Sequence, residues 1–289
     1  MKLKTKRGIV IDKSFLRGAK REHITALSET YTLLMPDSLL YECVKEENPS
    51  DRAQLFKKFP DKNSPYILIP PICDVLRHEI RTNTIFGKPS KRAANKDYGI
   101  HLRLIDEGYC MTTDQLLAFE RKRQLIENDT NAFIRLVKSL IKKMSSEFYG
   151  LSDEKTKQKR DVIEKKIALD KDYIVEIINS ERIYDYANMP TSQRITNRWA
   201  TFRFFQIYHL YVIDFYLKYK SETNIDNIFL RKDSPQEKAF ERIRHEMLDA
   251  QYLLYGLLEG GFATNELKLT SWWKLLSTPS GKLISNLSV

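Results

Sequence analysis

A short apolar run that ends on an acidic residue restricts the possible folds of this chain more than any other feature. The run is Gly8-Ile9-Val10-Ile11, and Asp12 follows it directly. A strand that is apolar at every position is typical of a parallel sheet covered on both faces. In open α/β sheets, ligands bind at the carboxyl edge of the strands. The sequence therefore predicts a buried strand that places the Asp12 carboxylate at a ligand-binding edge.

The residues after this first strand alternate between helical and strand patterns. Residues 20–30 have a helical pattern, and residues 31–35 form a second short apolar strand. A helix that begins near Pro36 carries Glu42 in its second turn. Residues 66–69 fit either a strand or an extended packing segment. The alternation of strand and helix over so few residues predicts an α/β fold with a parallel sheet.

The carboxyl-terminal part of the chain shows the same kind of pattern. Ser234-Pro235-Gln236-Glu237 is a strong helix start, and the helix that it predicts carries Asp249. Gly260-Gly261 ends that helix and leads into a short strand over residues 261–264, with Glu266 just beyond it. We expect this strand to lie in the same parallel sheet as the amino-terminal strands.

The sequence between these two parts is mainly helical. Helical patterns cover residues 113–149, 152–178 and 190–220. The third pattern carries aromatic residues on every side, which favours burial over a surface on which nucleic-acid bases stack. We therefore predict an α/β domain interrupted by an insertion: residues 1–48 form its first part, residues 49–233 the mainly helical insertion, and residues 234–289 its second part.

The composition favours an anionic partner. The net charge is +10, which favours nucleic acid first and an acidic membrane surface second, although solubility alone also explains it. The three cysteines lack a zinc-binding spacing, and the chain shows neither a signal-peptide pattern nor the roughly 20 consecutive apolar residues of a membrane span. We expect a cytoplasmic protein with nucleic acid, and no membrane, as its partner.

Four acidic residues lie where an α/β sheet could bring them together. They are Asp12, Glu42, Asp249 and Glu266. Several carboxylates in one pocket repel one another, and each raises the proton affinity of the others. A divalent cation removes that cost, and Mg²⁺ or Mn²⁺ suits a site made of oxygen ligands. Bound to phosphate oxygens, such an ion promotes hydrolysis.

The order of these motifs resembles that of PIN-domain nucleases. The matching segments are Ile11-Asp12-Lys13-Ser14, Pro36 to Glu42, Asp249-Ala250-Gln251-Tyr252-Leu253 and Ala263-Thr264-Asn265-Glu266. The resemblance covers roughly residues 7–48 and 236–288. It implies a PIN-like parallel sheet sandwiched by helices and interrupted by the insertion. It also implies cleavage of RNA, or of structured DNA, with a divalent metal.

The resemblance implies roles for individual residues. Asp12, Glu42, Asp249 and Glu266 would be catalytic metal ligands, and Ser14 and Thr264 would be supporting polar groups. Glu246, one turn before Asp249, could share or replace its role. His245 fits either a phosphate contact or a surface histidine. The basic residues expected to hold nucleic-acid phosphates are Lys13, Arg17, Arg244 and, at the start of the aromatic helix, Arg194 and Arg198.

These observations predict a metal-dependent nuclease that acts on RNA rather than DNA, and the resemblance implies a role as a toxin or defence effector. The insertion would select the substrate or bind a protein partner. Two departures from the family pattern are Glu in place of the usual Asp at position 266 and the long gap between Glu42 and Asp249. The gap requires the insertion, and the Glu at position 266 favours an alternative, a non-catalytic nucleic-acid-binding or scaffold protein with a PIN-like fold. An all-helical interaction protein is a third possibility if the first strand does not form.

Overall fold

A five-stranded parallel sheet joins the two ends of the chain. The computed structural model describes residues 6–46, 48–61, 64–92, 103–180, 194–219 and 235–285. The strands are β1 (Arg7–Ile11), β2 (Tyr31–Pro36), β3 (Ile67–Ile69), β4 (Gly261–Ala263) and β5 (Lys282–Ile284). They lie in the order β3-β2-β1-β4-β5, and every pairing is parallel. The predicted α/β fold with a parallel sheet is confirmed, as are the three strands expected near residues 8–12, 31–35 and 261–264.

Strand β3 lies within residues 49–233, so the segment predicted to be a mainly helical insertion also supplies part of the sheet. Of the two possibilities for residues 66–69, the strand is the one observed. The helices are α1 (Lys13–Gly18), α2 (Arg21–Thr30), α3 (Asp37–Val44), α4 (Pro49–Lys57), α5 (Ile72–Thr82), α6 (Thr113–Phe148), α7 (Asp153–Leu169), α8 (Lys171–Ser180), α9 (Ala200–Tyr219), α10 (Pro235–Glu259) and α11 (Leu267–Leu276). None of the described helices is both long and apolar enough to cross a bilayer.

Two predicted helices differ from the observed ones. The pattern over residues 152–178 is divided into α7 and α8, because Asp170 adopts an extended conformation and its carboxylate accepts the Tyr173 backbone N–H at 3.0 Å. The aromatic helix begins at Ala200, since Glu79 caps its first turn there. Residues 190–193 and Ser234 lie outside the described residues.

Strands β1 and β4 are adjacent although most of the chain separates them. Val10 pairs with Phe262, and Ile11 pairs with Ala263. Gly260 ends α10 with a φ of 84°, which glycine adopts without steric cost. From β1 the chain builds the sheet first towards β2 and β3 and later towards β4 and β5. The strand order therefore reverses between β1 and β4, which is where open α/β sheets bind ligands.

The core is continuous from the sheet into the helical segment. Helix α10 packs against β1, β4, α6, α9 and α11. Helix α9 is surrounded by α5, α6, α7, α8 and α10, and most of its described aromatic side chains are buried, which confirms the expectation of burial. Phe204 and Tyr216 are partly buried. The buried rings on or beside this helix belong to Trp199, Phe202, Phe205, Tyr208, Tyr211 and Phe215.

A buried carboxylate fixes the start of α9. Glu79 on α5 is 1% exposed and accepts the backbone N–H groups of Ala200 and Thr201, each at 2.9 Å. It also accepts the Thr201 hydroxyl at 3.0 Å and the Phe86 N–H at 3.2 Å. These donors include N–H groups in the first turn of a helix, which have no partner within the helix. Glu79 thereby anchors α9 to the helix that follows β3.

Candidate active site

Asp12 lies at the point where the strand order reverses, and three donors hold its carboxylate. It is the N-cap of α1, so its Oδ1 accepts the Phe15 backbone N–H at 2.7 Å. The Ser14 hydroxyl donates at 2.9 Å, and the Thr264 hydroxyl donates to Oδ2 at 2.5 Å. Thr264 directly follows β4, so the two ends of the chain meet at this carboxylate. Both residues predicted to support Asp12 contact it.

The backbone after β4 orients these two hydroxyls. Ser14 Oγ accepts the Asn265 N–H at 3.0 Å, and Thr264 Oγ1 accepts the Glu266 N–H at 3.0 Å. A hydroxyl that accepts from an amide is free to direct its own proton elsewhere, and here both protons point to Asp12. The carboxylate is therefore fixed by a network that requires strand β4 to lie beside β1.

Burial raises the pKa of Asp12 to about 6. The hydrogen bonds from Thr264, Phe15 and Ser14 oppose this effect, whereas the negative charge of Glu266 adds to it. Asp12 is 1% exposed, so water does little to stabilise its charge. A positive charge placed beside Asp12 would favour its ionised form near neutral pH.

Glu42 on α3 is also buried, but a lysine, a histidine and a tyrosine hydroxyl surround its carboxylate. The Tyr252 hydroxyl donates to Oε2 at 2.5 Å, while Lys13 Nζ and His245 Nδ1 lie 3.6 Å and 3.4 Å from Oε1. Burial raises the pKa of Glu42, but hydrogen bonding from His245, the charge of Lys13 and the Tyr252 hydroxyl outweigh it, so the pKa lies below the usual value. The His245 side chain is 54% exposed, as expected for a surface histidine, and it also pairs with Glu42.

Asp249 on α10 shares an electrostatic environment with the other three predicted acids. Burial raises its pKa well above the usual value, and the charges of Glu42, Asp12 and Glu266 raise it further. Lys268 acts in the opposite direction. Three acids from distant parts of the sequence thus act on the carboxylate of the fourth, Asp249. The expectation that at least one of them has a raised pKa is confirmed at Asp12 and Asp249.

The predicted convergence of these carboxylates on a metal position is not complete. Within the described ranges, no three His, Cys, Asp or Glu side chains form a group that could hold a metal ion. Asp12 is engaged by hydroxyl groups, and Glu42 by Tyr252, Lys13 and His245. The donor chemistry fits Mg²⁺ or Mn²⁺, because carboxylate oxygens suit both ions and a cation would relieve the repulsion at Asp249.

Comparison with protein-family models, with curated proteins and with solved structures finds no match.

A lysine that the sequence did not single out borders the site. Lys268 Nζ lies 3.6 Å from Glu246 Oε1 and 3.7 Å from Asp214 Oδ2, and it stands 4.5 Å from the ring centroid of Tyr211. Glu246 therefore pairs with Lys268. Asp214 and Tyr211 belong to α9, so the helical segment reaches the margin of the site. Lys268 lies in the first turn of α11, where the helix dipole disfavours a cation. This unfavourable position could have indicated that nearby acids stabilise the lysine.

The predicted phosphate-binding residues differ in their surroundings. Lys13 pairs with Glu42, Arg17 pairs with Glu46 at 2.9 Å, and Arg244 pairs with Glu241. Only Lys13 contacts one of the four acids in these pairings. Arg194 and Arg198 are exposed, but they lie before α9 rather than on it, because that helix begins only at residue 200. The prediction that they lie at the start of the aromatic helix is therefore wrong.

Two further contacts at the site were outside the sequence prediction. Tyr252 was part of the motif that resembles PIN domains, but no role was assigned to its hydroxyl. Tyr252 lies three residues after Asp249, so the two side chains are neighbours on one helix face. This spacing could have indicated that Tyr252 lies near the acids. Asn265 orients Ser14 through its backbone N–H, a contact that any residue type could make and that leaves no mark in the sequence.

Proposed function

We propose that this chain is a metal-dependent nuclease with a PIN-like fold, which hydrolyses phosphodiester bonds in RNA rather than DNA. The observation that carries the proposal is the position of Asp12 where the strand order reverses, together with the charges of Glu42, Asp12 and Glu266 that raise the pKa of Asp249. One of these acids, Asp12, is fixed by hydroxyls from both ends of the chain. The order of the motifs resembles that of PIN-domain nucleases, and the net charge of +10 suits a polyanionic substrate.

Asp12, Glu42, Asp249 and Glu266 would hold Mg²⁺ or Mn²⁺ as the cofactor. When bound, such an ion lowers the pKa of water and stabilises the leaving oxygen in phosphodiester hydrolysis. Ser14 and Thr264 keep the Asp12 carboxylate in one orientation, so little ordering remains to be done when substrate arrives. Burial and the neighbouring acids raise the pKa of Asp249 well above its usual value, so a bound cation would favour the ionised form.

Lys13 and His245 give the site a cationic border beside Glu42. The His245 side chain is 54% exposed, and that of Lys13 is 21% exposed, so both are accessible from solvent while they pair with Glu42. Cations at such a border attract a phosphodiester and position it against the acids. In this proposal, Lys13 and His245 contact the backbone of the nucleic acid, and Glu42 keeps them in place.

The role as a toxin or defence effector follows from the resemblance, and we include it in the proposal. Helix α9 comes from the helical segment and contributes Asp214 to the Lys268 ion pairs beside the site. A segment that reaches the margin of a nuclease site is well placed to select the substrate. It also offers a surface for a protein partner.

A non-catalytic nucleic-acid-binding protein is the second candidate. The observation in its favour is that the charge of Glu42 is already compensated by Lys13 and His245. An acid that is paired with two cationic groups is a weaker metal ligand, because the metal must displace them. In this case the basic border binds nucleic acid and the acids do not act on it.

A titration of thermal stability with Mn²⁺ distinguishes the two candidates. At a free concentration about 100 times its Kd, the ion should stabilise the folded protein by about 2.7 kcal/mol. Asp249→Asn should remove most of this effect, and it should raise the stability of the metal-free protein because it removes a repelled charge. Asp172→Asn, at an exposed position on α8, is the matched control and should behave as the wild type.

The same preparations should then be tested for cleavage of a single-stranded RNA and of the DNA with the same base sequence. Mn²⁺-dependent cleavage of the RNA supports the proposed function. If Mn²⁺ changes neither stability nor cleavage while the nucleic acid still binds, the non-catalytic candidate replaces the nuclease.

A further inference from the structure

An apolar cavity of about 680 Å³ lies on the side of α10 that faces away from Asp249. Met247, Ala250, Gln251 and Leu254 supply the α10 part of its wall. At about 100° per residue, the centre of this group is turned by about 150° from Asp249 around the helix. The cavity is therefore separate from the four acids, and the proposed nuclease function gives it no role.

Helices α5, α6 and α9 complete the wall, and most of the side chains that they contribute are apolar. Leu76, Phe133 and Phe204 are examples from the three helices. Cavities of about 300–1,000 Å³ with apolar walls and a few polar groups are typical of small-molecule sites. A peptide helix is about 10–12 Å wide with its side chains and needs a groove that is open along its length. Walls from four helices favour a compact ligand over such a peptide.

Charged residues in the wall carry an excess of positive charge. Arg77 is paired with Asp74 at 3.0 Å. Arg81 and Arg135 are exposed, and neither has an acidic partner in the part of the chain that the structure describes. Asp129 is the acidic residue of the wall, and burial raises its pKa. The wall thus combines a large apolar surface with two unneutralised arginines.

We propose that this cavity binds a long-chain fatty acid. Its hydrocarbon chain would lie against Leu76, Phe133 and Met247, where its burial is favourable. Its carboxylate would remain at the solvent-exposed part of the wall and pair with Arg81 and Arg135. A guanidinium pairs well with a carboxylate because its N–H groups match the two oxygens. A neutral ligand would leave both arginines without a partner.

Isothermal titration calorimetry of the full chain with palmitate, below its micelle concentration, tests the proposal. We expect one saturable site. Arg135→Glu should weaken binding about tenfold, because it replaces attraction by repulsion. Arg121→Glu is the matched control: it lies on the same helix, is also exposed, is not part of the cavity wall, and should leave the affinity unchanged.

Two further measurements test the location and the charge. Ala132 lines the cavity at an exposed position of α6, so Ala132→Trp should obstruct the cavity and weaken binding while the fold is kept. The methyl ester of palmitic acid should bind about tenfold more weakly than palmitate, since it lacks the charge. Circular dichroism of each variant checks that it is folded.

Several results would overturn the proposal. They are the absence of saturable palmitate binding, equal effects of Arg135→Glu and Arg121→Glu, equal affinity for the methyl ester, and preferential binding to anionic vesicles or to an acidic amphipathic peptide. None of these measurements depends on metal or on cleavage. The failure of this proposal is therefore distinguishable from the failure of the proposed nuclease function.

Discussion

Asp12 and Glu79 are both buried carboxylates, and burial raises the pKa of each, yet their surroundings differ. Glu79 accepts three backbone N–H groups and one hydroxyl from the segments that it holds together. Asp12 accepts one N–H and two hydroxyls, and it also faces the negative charge of Glu266. Glu79 is therefore a buried acid that anchors a helix, whereas Asp12 is a buried acid that belongs to a group of acids.

This comparison shows that burial by itself does not mark a functional acid. The distinguishing feature is repulsion by other acids, which is clearest at Asp249, where Glu42, Asp12 and Glu266 all act on one carboxylate. Such repulsion destabilises the folded protein and contributes nothing to packing. Groups whose pKa is perturbed in this way are concentrated at functional sites. Hydrogen bonds that satisfy a buried acid completely, as at Glu79, are typical of a structural role.

The largest expected effect concerns cleavage. Asp12→Asn should reduce metal-dependent cleavage by on the order of 10²-fold or more, because the nearly isosteric amide lacks the charge that a hard cation requires. Glu79→Gln, at the other buried acid, should reduce cleavage by less than about threefold when assayed below its unfolding temperature. The measurement is initial cleavage rate at equal Mn²⁺. Equal losses in the two variants would remove the distinction between the sites.

The next effect is a pH dependence of stability. Folding raises the pKa of Asp12 from 3.8 to about 6, so the folded state binds this proton more tightly than the unfolded state. The resulting stabilisation is fully present below pH 3.8 and is lost as the pH rises through about 6. Between pH 3 and 7, the free energy of unfolding of the wild type should therefore fall by about 3 kcal/mol relative to that of Asp12→Asn.

Urea unfolding of both proteins in EDTA at several pH values measures this difference. Glu79 also has a raised pKa, but it is present in both proteins, so its contribution cancels. A difference that stays constant with pH would show that folding leaves the pKa of Asp12 unchanged, and the electrostatic description of the site would be wrong.

The stability effect at Glu79 should be somewhat smaller. Glu79→Gln replaces one oxygen by an amide NH₂ that faces backbone N–H donors, so buried donors at the start of α9 lose their acceptor. We expect the free energy of unfolding to fall by about 2 kcal/mol. Chemical denaturation measures it, and thermal melting in the presence of Mn²⁺ should show the same metal-induced stabilisation as the wild type. A loss of that stabilisation would mean that Glu79 is linked to the metal site.

The smallest effect sharpens the role of Glu42. Tyr252→Phe removes a hydroxyl that donates to Glu42 and should cost about 1 kcal/mol of stability. It should also raise the pKa of Glu42 and move the acidic limb of the pH–rate profile upward. Tyr255→Phe is the matched control on the same helix, because its hydroxyl donates to the Pro70 carbonyl instead. If both variants shift the profile equally, the hydroxyl of Tyr252 has no particular effect on Glu42.

The sequence predicted the parts of the fold that depend on local pattern. The continuous apolar runs of β1 and β2 and the glycines after α10 have local physical causes. Strand β5 was not predicted, since Lys282-Leu283-Ile284 is short and only partly buried at the edge of the sheet. Helix α1 was not predicted either, because its N-cap, Asp12, was interpreted only as a site residue.

The sequence predicted which acids belong to the site but not which side chains pair with them. Asp12 and Asp249 could be proposed because each follows or lies on a recognisable element. The pairing of Glu42 with Lys13 and His245 depends on how α1, α3 and α10 pack, and no spacing in the sequence encodes that packing. The position of Lys268 has the same origin, since its partners lie on α9 and α10.

Helix α10 has Asp249 on one face and the wall of the apolar cavity on the other. If two ligands bind on opposite faces of one helix and binding displaces that helix, their binding free energies are coupled. By reciprocity, a cavity ligand that changes the affinity for metal by some factor must have its own affinity changed by metal by the same factor. The helix that closes the proposed nuclease site is thus also the element through which a lipid-like molecule would regulate it.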